Sequence, residues 1–427
     1  MTPTIRALAL ACAASTAALP LSIAETIPRR AFVGARLWDG SGRPAVDGAV
    51  IVVRGGRIES VEAAVPKDAE RVDLRGRFVI PGLVNAHGHV GETRGLRSGP
   101  ELYTRDNVLD QLGLYARYGV TTVVSLGGDR NEGFEVRDEQ ETPTLDRARL
   151  RVAGRVVDAT TPEEARSQVA TLATQKPDWV KIRVDDNLGT VPKMTPAVYR
   201  AVIDEAHRRG LRVAAHIFYL EDARGLLEAG VDYLAHSVRD QDIPPDFVAA
   251  LAKRGIPLCP TLMREVSAFV YGDEPEFFPD PFFLKEADPA VVAELRAADR
   301  REKVRSSPAA ARYREALAVA RRNLKALADA GVPIVMGTDT GPPARFQGFF
   351  EHEELRLMVD SGLTPAQALF AATGGAARAM GLSGVGRLER GAWADFLVLK
   401  ADPLADIRNT RSLEAVFLAG NRVPARK

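Results

Sequence analysis

The sequence predicts an α/β protein: a (β/α)8 TIM barrel with a small β-sandwich domain built from both termini. Three observations support this fold class. The chain has 427 residues, of which 46% are apolar and 26% charged, as in ordinary globular proteins. Short apolar segments alternate with helical stretches through the middle of the chain. Strand-like segments separated by turns occupy both ends.

The strand-like segments at the two ends are too short to close separate cores. Near the N-terminus, an alternating run at 57–61 follows a turn at Gly56, and the apolar runs at 395–399 and 413–418 have the same texture. We therefore expect the two ends to pair. The predicted domains are residues 25–80 plus 385–427 for the composite β-domain and residues 81–384 for the barrel.

The middle of the chain contains eight strand candidates in the order expected of a parallel barrel. Helical periodicity between them is clearest over 196–209 and 309–330, and the second helix is expected to stop at Gly331. The strand candidates are residues 78–86, 120–126, 150–157, 179–184, 213–218, 233–235, 257–262 and 334–336.

The connection between the seventh and eighth strands is much longer than the others. It spans residues 263–332 and contains several aromatic residues interleaved with acids and prolines, Phe277 and Phe283 among them. A long loop at the catalytic face of a barrel is typical of a lid or pocket wall. A packed aromatic cluster without substrate contact is the alternative.

The first 24 residues have the pattern of a secretory signal peptide. Arg6 precedes a run of apolar and small residues, and Ser22 and Ala24 are small residues at the positions that a signal peptidase reads. Cleavage after Ala24 predicts a periplasmic or secreted protein without stable membrane insertion. A membrane anchor and lipidation at Cys12 are the alternatives. Cleavage leaves Cys259 as the sole thiol, so no intrachain disulfide is expected.

The charge balance argues against polyanionic partners. Lys and Arg number 57 against 56 Asp and Glu, and removal of Arg6 with the signal peptide would equalise them. We therefore expect a small-molecule substrate and no nucleic-acid partner. A homo-oligomer is possible.

Four of the six histidines, one lysine and one aspartate fall at or near the predicted carboxyl ends of barrel strands, where barrel active sites are built. Residues two apart on a strand share a face, so the first two histidines can reach one ion. Neutral imidazoles and a carboxylate suit zinc or a similar divalent ion. The candidate metal ligands are His87, His89, Lys181, His216, His236 and Asp339.

Lys181 is an unusual residue for such a place. An ammonium beside two dications would be repelled, and burial lowers a lysine pKa. A neutral amine can add carbon dioxide, and the resulting carbamate could bridge two metals. The alternative is an ion pair with Asp185 or Asp186. His207, in a helical stretch, is expected to be a cation at a helix C-terminus.

These residues and their flanking motifs resemble the amidohydrolase superfamily, binuclear-metal subtype. The segment 81–89, Pro-Gly-Leu-Val-Asn-Ala-His-Gly-His, is similar to its opening motif, and 386–399 to its return into the β-domain. The segments 352–355 and 362–369 resemble the imidazolonepropionase-related and Xaa-Pro or Arg/Lys dipeptidase-like branch.

The resemblance implies a role for each candidate ligand. His87 and His89 would hold one metal with Asp339, and His216 and His236 would hold the other. Carbamylated Lys181 would bridge two divalent ions, with zinc as the expected metal. Asp339 would take the proton of a metal-bridging hydroxide and pass it to the leaving nitrogen.

Five residues near the strand ends are candidate substrate contacts. The arginines could clamp a carboxylate, and the tyrosine could act in catalysis as an oxyanion or carbonyl partner. For each arginine the alternative is an exposed or ion-paired side chain. Strand alternation puts Asp185 and the first arginine on the face of Lys181. The candidates are Arg183, Tyr219, Arg239, Arg264 and His352.

The expected activity is metal-dependent hydrolysis of a C–N bond in an amide or peptide-like substrate, with a dipeptidase or an N-acyl amino acid hydrolase as candidate activities. A cyclic amide, lactone or organophosphate hydrolase on the same site is the alternative enzyme. A non-catalytic binding protein on the same barrel is the alternative of another class.

Overall fold

A computed structural model describes residues 28–61 and 64–426, so the predicted signal peptide (1–24) lies outside the described residues. The β-strands, in chain order, are β1 (Arg29–Leu37), β2 (Val46–Arg54), β3 (Arg57–Val61), β4 (Ala69–Asp73), β5 (Phe78–Pro81), β6 (Leu83–Gly88), β7 (Thr93–Arg94), β8 (Arg97–Ser98), β9 (Val120–Ser125), β10 (Arg149–Val152), β11 (Val180–Val184), β12 (Val213–Ile217), β13 (Tyr233–Ala235), β14 (Leu258–Cys259), β15 (Phe396–Leu399), β16 (Leu413–Leu418) and β17 (Asn421–Arg422).

Helices cover the outside of the barrel and fill the long connection. The α-helices are α1 (Arg105–Arg117), α2 (Asn131–Asp138), α3 (Pro162–Ala173), α4 (Pro196–Arg208), α5 (Leu220–Ala229), α6 (Pro245–Arg254), α7 (Leu262–Ser267), α8 (Pro281–Leu284), α9 (Pro289–Leu295), α10 (Ala298–Arg305), α11 (Pro308–Asp329), α12 (Phe349–Asp360), α13 (Pro365–Ala371) and α14 (Gly374–Met380). Short 3-10 helices occupy Pro100–Leu102, Val270–Gly272 and Ile407–Arg411. No helix in the described ranges is both long and apolar enough to cross a membrane.

The predicted barrel is confirmed. Parallel strands run in the orders β10-β9-β6 and β11-β12-β13-β14. A bridge from Val157 to Ile182 joins the two groups on one side. On the other side, the segment 333–340 bridges to β14 through Ile334 and donates to and accepts from β6, with the amide of Ala86 bonded to the carbonyl of Met336 at 2.8 Å.

The eighth barrel position is not a regular strand, although an apolar strand was predicted at 334–336. Its backbone makes single bridges because it turns sharply next to the site: Asp339 has φ 56° and Gly341 has φ 119°. A β-carbon at Gly337 would lie 2.6 Å from the amide nitrogen of His87. Glycine at 337 therefore lets this segment approach β6 closely.

The β-domain combines both ends of the chain, since β5 pairs antiparallel with β15. Its strands form one hydrogen-bonded sheet in the order β17-β16-β15-β5-β1-β2-β3, with β4 beside β1. This domain has its own hydrophobic core, in which the ring of Phe32 lies 4.9 Å from each of the rings of Phe396 and Phe417. The β-domain therefore consists of a single hydrogen-bonded sheet with its own core.

A buried ion pair connects the β-domain to the barrel. Nε of Arg149, on β10, lies 2.7 Å from Oδ2 of Asp395, and both side chains are almost completely buried. The guanidinium also stacks on Trp393 at 4.1 Å. The carbonyl of Asp395 accepts from the amide of Gly82, directly before β6. The first barrel strand is therefore anchored from the β-domain.

The long connection after β14 is helical and tightly packed. Phe277 lies 5.3 Å from Phe349 and 5.8 Å from Phe350 of α12, and Phe283 lies 5.0 Å from Phe349. These rings belong to the main hydrophobic core. For these aromatic residues, the structure shows the packed cluster that was the alternative to a lid.

Candidate metal centre

The six predicted ligands come together at the carboxyl ends of the barrel strands. Nε2 of His89 lies 2.9 Å from Oδ1 of Asp339, and Nε2 of His87 lies 3.5 Å from the same oxygen. Nζ of Lys181 lies 3.2 Å from Nε2 of His87. The ring of His236 continues the chain of contacts, since it lies 4.7 Å from that of His87 and 4.1 Å from that of His216.

A cluster that could hold a metal ion is formed by His87, His89 and Asp339, whose ligand atoms all lie within 4.8 Å of one another. The ring of His89 is oriented by its second nitrogen, because Nδ1 lies 2.9 Å from the carbonyl of Gly127 and must donate to it. The lone pair of His89 then sits on Nε2, the atom that faces Asp339. This tautomer is the one a metal requires.

His236 is oriented by Thr261. Its Nδ1 lies 2.6 Å from the hydroxyl of Thr261, and that hydroxyl donates its only proton to the carbonyl of Pro260 at 2.8 Å. Thr261 must therefore accept from Nδ1, which leaves the lone pair of His236 on Nε2. In the described structure this Nε2 is buried without a hydrogen-bond partner. A buried, unpartnered lone pair next to other imidazoles fits a metal site.

His216 is held from the opposite nitrogen. Its Nε2 lies 2.6 Å from Oδ2 of Asp185, a buried carboxylate that also accepts from the amide of Asn187 at 2.7 Å. His216 therefore donates from Nε2 and keeps its lone pair on Nδ1. The interaction with His216 and the other neighbours of Asp185 hold the pKa of Asp185 well below its usual value although its burial opposes this.

Lys181 is buried, and its burial lowers the pKa of the amine to about 8. Within the described ranges, Nε2 of His87 is the only hydrogen-bonding neighbour of its Nζ. Asp185 bonds to His216 instead, and Asp186 accepts from the hydroxyl of Tyr219 at 2.8 Å. The structure thus does not show the predicted alternative, an ion pair of Lys181 with Asp185 or Asp186.

Asp339 has a charged neighbour that the sequence analysis missed. Nη1 of Arg345 contacts Oδ2 of Asp339 and also donates to its backbone carbonyl at 3.1 Å. Burial of Asp339 favours its neutral form, but its pKa is nevertheless held well below the usual value, with the guanidinium of Arg345 as the largest opposing influence. Arg345 lies in a loop with no periodic pattern, so no sequence signal marked it.

Three residues at the site have strained backbone conformations. His236, Thr261 and Asp339 have φ values of 144°, 48° and 56°, which side chains with a β-carbon rarely adopt. Each such residue costs on the order of 1–3 kcal/mol, and such residues concentrate where geometry serves a function.

Two of the predicted substrate contacts lie beside the site. The hydroxyl of Tyr219 donates to Asp186, and burial together with this carboxylate raises its pKa to about 12. Arg183 is half exposed, and its guanidinium lies 3.6 Å from Asp185. Their proposed contact with substrate stays a prediction.

Arg239 and Arg264 occupy a buried charge cluster rather than an open mouth. Nε of Arg239 lies 2.9 Å from Oε1 of Glu265, and its Nη1 donates to the carbonyls of Ile217 and Ser237. Arg264 shares Glu265 at 3.1 Å. The structure therefore places Arg239 inside the protein, where Nη1 bonds to two carbonyls and the side chain has no exposed surface, while Nη2 has no hydrogen-bond partner among the described residues.

His352 requires a correction, because the structure does not bring it to the site. Its Nε2 bonds to the carbonyl of Tyr118 at 2.8 Å, its Nδ1 bonds to the hydroxyl of Thr410 at 2.9 Å, and its ring packs on Phe282. With both nitrogens engaged in the interior, it offers nothing to a substrate. His207 pairs with Asp232 on the surface, in line with its exclusion from the site.

Two fully buried glutamates on α12 also escaped the sequence analysis. Glu351 bonds to Asn85, Thr338 and Thr340, and Glu354 bonds to backbone amides after β14. Burial raises the pKa of Glu351 to about 7 and that of Glu354 to about 8. The available signal was their position among the buried apolar residues of α12, where an acid needs a partner.

A (β/α)8 barrel with this ligand set at its strand ends defines a class of barrel hydrolases. The amidohydrolase family profile matches residues 78–423, and the chain belongs to that family. It is accordingly a hydrolase that acts on carbon–nitrogen bonds.

Individual relatives are distant but cover most of the chain. An uncharacterised protein of Mycobacterium tuberculosis is 28% identical over 77% of this chain and 80% of its own length. An imidazolonepropionase of Geobacillus thermodenitrificans is 26% identical over 78% of this chain and 77% of its own. The crystal structure of a Xaa-Pro dipeptidase with bound methionine is 21% identical, with a TM-score of 0.74 over 92% of this chain and 99% of that chain, which shows the shared fold.

Proposed function

We propose that this protein is a binuclear metal hydrolase that cleaves the C–N bond of a small amide or peptide-like substrate, with dipeptides and N-acyl amino acids as the first candidates. The observation that carries the proposal is the convergence of four imidazoles, one carboxylate and one buried lysine, with three imidazole tautomers set by neighbouring acceptors. Relatives named for imidazolonepropionase and dipeptidase activity support the same reaction class.

The residues divide into two ligand groups. His87, His89 and Asp339 would hold one divalent ion, and His216 and His236 a second. When bound, two such ions, most suitably zinc, supply Lewis acidity that lowers the pKa of a water molecule and polarises a carbonyl group. Lys181, next to His87, would join the groups after its neutral Nζ forms a bond to carbon dioxide and releases a proton.

Asp339 is positioned to handle the reacting proton. Its Oδ1 faces both His87 and His89, and the carboxylate would accept a proton from the attacking water. The proton then passes to the leaving nitrogen, which departs as a neutral amine. Arg345 holds Oδ2 and so fixes the orientation of the carboxylate.

The proposal is tested by metal content and by hydrolysis of a panel of dipeptides and N-acyl amino acids with added zinc. Wild type should carry about two divalent ions and hydrolyse members of the panel, whereas Lys181→Ala and Asp339→Asn should lose turnover. The matched control is His207→Gln, a histidine paired at the surface. Turnover that survives both site substitutions would reject the mechanism.

We also propose that the protein is exported. The proposal rests on the N-terminal sequence pattern, and it predicts that the mature chain begins at Glu25. Mass spectrometry of the N-terminus in the native host tests this. An intact Met1 in a cytoplasmic fraction would contradict it.

A further inference from the structure

Helix α12 carries two acids, Glu351 and Glu354, on the turn that faces the barrel. Residues three apart lie on the same face of a helix. Both side chains are fully buried, and neither is used by the proposed hydrolysis. Burying a carboxyl group costs free energy unless its oxygens are hydrogen-bonded, so the partners of these two acids show what they hold in place.

Glu351 ties together the two chain segments that carry the first ligand group. Its Oε1 alone accepts from Nδ2 of Asn85 at 2.6 Å and from the hydroxyls of Thr338 and Thr340, both at 2.8 Å. Oδ1 of Asn85 in turn accepts from the amide of His87 at 2.9 Å. The two threonines flank Asp339, so one oxygen atom fixes β6 against the segment that closes the barrel.

Glu354 acts on the other ligand group. Its Oε1 accepts from the amide of Leu262 at 2.8 Å, and its Oε2 accepts from the amide of Met263 at 2.7 Å. These amides directly follow Thr261, the residue that sets the tautomer of His236 and that has a left-handed backbone conformation. Both oxygens of Glu354 therefore bond to the backbone that directly follows Thr261.

We propose that α12 is the positioning element of the metal centre, with Glu351 aligning the His87 and Asp339 group and Glu354 aligning His236 through Thr261. This inference rests on the proposed binuclear function and adds a division of labour to it. Loss of a residue that hydrogen-bonds to a metal ligand typically lowers metal affinity by about 10- to 100-fold, and we expect an effect of this size here.

Glu351 accepts hydrogen bonds through one oxygen and Glu354 through both, so substitution by glutamine should affect the two positions differently. At position 351, a glutamine carbonyl can accept all three hydrogen bonds and place its amide where Oε2 has no partner. At position 354, a glutamine must point its amide at a backbone N–H. We therefore expect Glu351→Gln to preserve metal affinity, and Glu354→Gln to reduce it.

The experiment is a titration of the metal-free full-length protein with Co2+, followed by visible absorption and chelator competition. His89→Ala and His216→Ala identify which binding step belongs to which ligand group. Glu351→Leu should weaken the step that His89→Ala removes, and Glu354→Gln the step that His216→Ala removes, each by about 10- to 100-fold. Glu351→Gln should bind like wild type.

The matched control is Glu353→Gln, which alters a buried acid on the same helix that pairs with Arg356 and Arg411 and reaches no ligand. It should lower thermal stability and leave both binding steps unchanged. If Glu351→Leu does not fold, Thr338→Val and Thr340→Val remove the same hydrogen bonds singly.

Two results would overturn the inference: wild-type affinity for both ions in Glu351→Leu and Glu354→Gln, or equal weakening of both steps by each variant. A wild type that binds fewer than two ions would instead reject the proposed function on which the inference rests.

Discussion

The hydrogen bond between Asp185 and His216 yields the sharpest single prediction. In Asp185→Asn, the amide cannot satisfy both neighbours. If its oxygen keeps the bond to the amide of Asn187, its NH2 group faces Nε2 of His216 and forces the ring proton onto Nδ1. If the amide is reversed, two N–H groups face each other. Either arrangement removes the lone pair that Nδ1 would offer to a metal or leaves one buried donor unpaired.

The loss of one such buried hydrogen bond costs about 1–3 kcal/mol, which corresponds to about a 5- to 150-fold weaker binding of the ion held by His216 and His236. Chelator competition with Zn2+ measures both binding steps. Asp186→Asn is the matched control, because it removes a neighbouring carboxylate that bonds to Tyr219 and to no histidine. Wild-type affinity in Asp185→Asn, or an equal loss in Asp186→Asn, would refute the tautomer argument.

Three further predictions concern stability and metal content. Burial lowers the pKa of His352 to about 3, against 6.5 in the unfolded chain. Between these pH values the unfolded chain binds a proton that the folded protein does not, so wild type loses stability as the pH falls from 6.5 towards 3. His352→Gln should reduce this pH dependence of the unfolding free energy, measured by urea unfolding across that range. Asp395→Asn leaves Arg149 buried without its ion-pair partner and should lower the free energy of unfolding by about 3–5 kcal/mol. The double variant Asp395→Asn with Arg149→Met should recover most of this loss in chemical denaturation. No recovery would contradict the argument that the two side chains stabilise the fold as a pair. Lys181→Met should lower the metal count in elemental analysis while the metal-free protein keeps or gains thermal stability, since a buried amine is replaced by an apolar chain.

The sequence allowed the barrel, and the gathering of the candidate ligands at its strand ends, to be predicted because both depend on local patterns. Alternation along a strand places His87 and His89 together, and the apolar runs before His216 and His236 mark strands whose ends meet at one face. Strand lengths were less accurate: the predicted strand at 150–157 ends at Val152. Apolar runs continue from a strand into the buried loop that follows it, so the sequence does not show at which residue the hydrogen bonding between strands ends.

The residues that were missed depend on tertiary contacts. Arg345 reaches Asp339 from an irregular loop, and Glu351 and Glu354 lie in the same stretch as His352, which was wrongly expected to face a substrate. When a helix is buried on all sides, its sequence does not show which neighbouring element each of its faces contacts. The acids of α12 turn towards the strand ends, whereas the histidine turns towards Tyr118 and the β-domain.

The closure of the barrel has a consequence for the order in which the protein becomes functional. His87 and Asp339 lie on the first and last barrel positions and meet only across the seam formed by Ala86 and Met336. A ribosome must therefore have synthesised nearly the whole barrel before the first ligand group exists. Truncated chains that end before the last barrel position lack Asp339, so under the proposed function tight metal uptake would report that the last barrel position has been made and has closed onto the first.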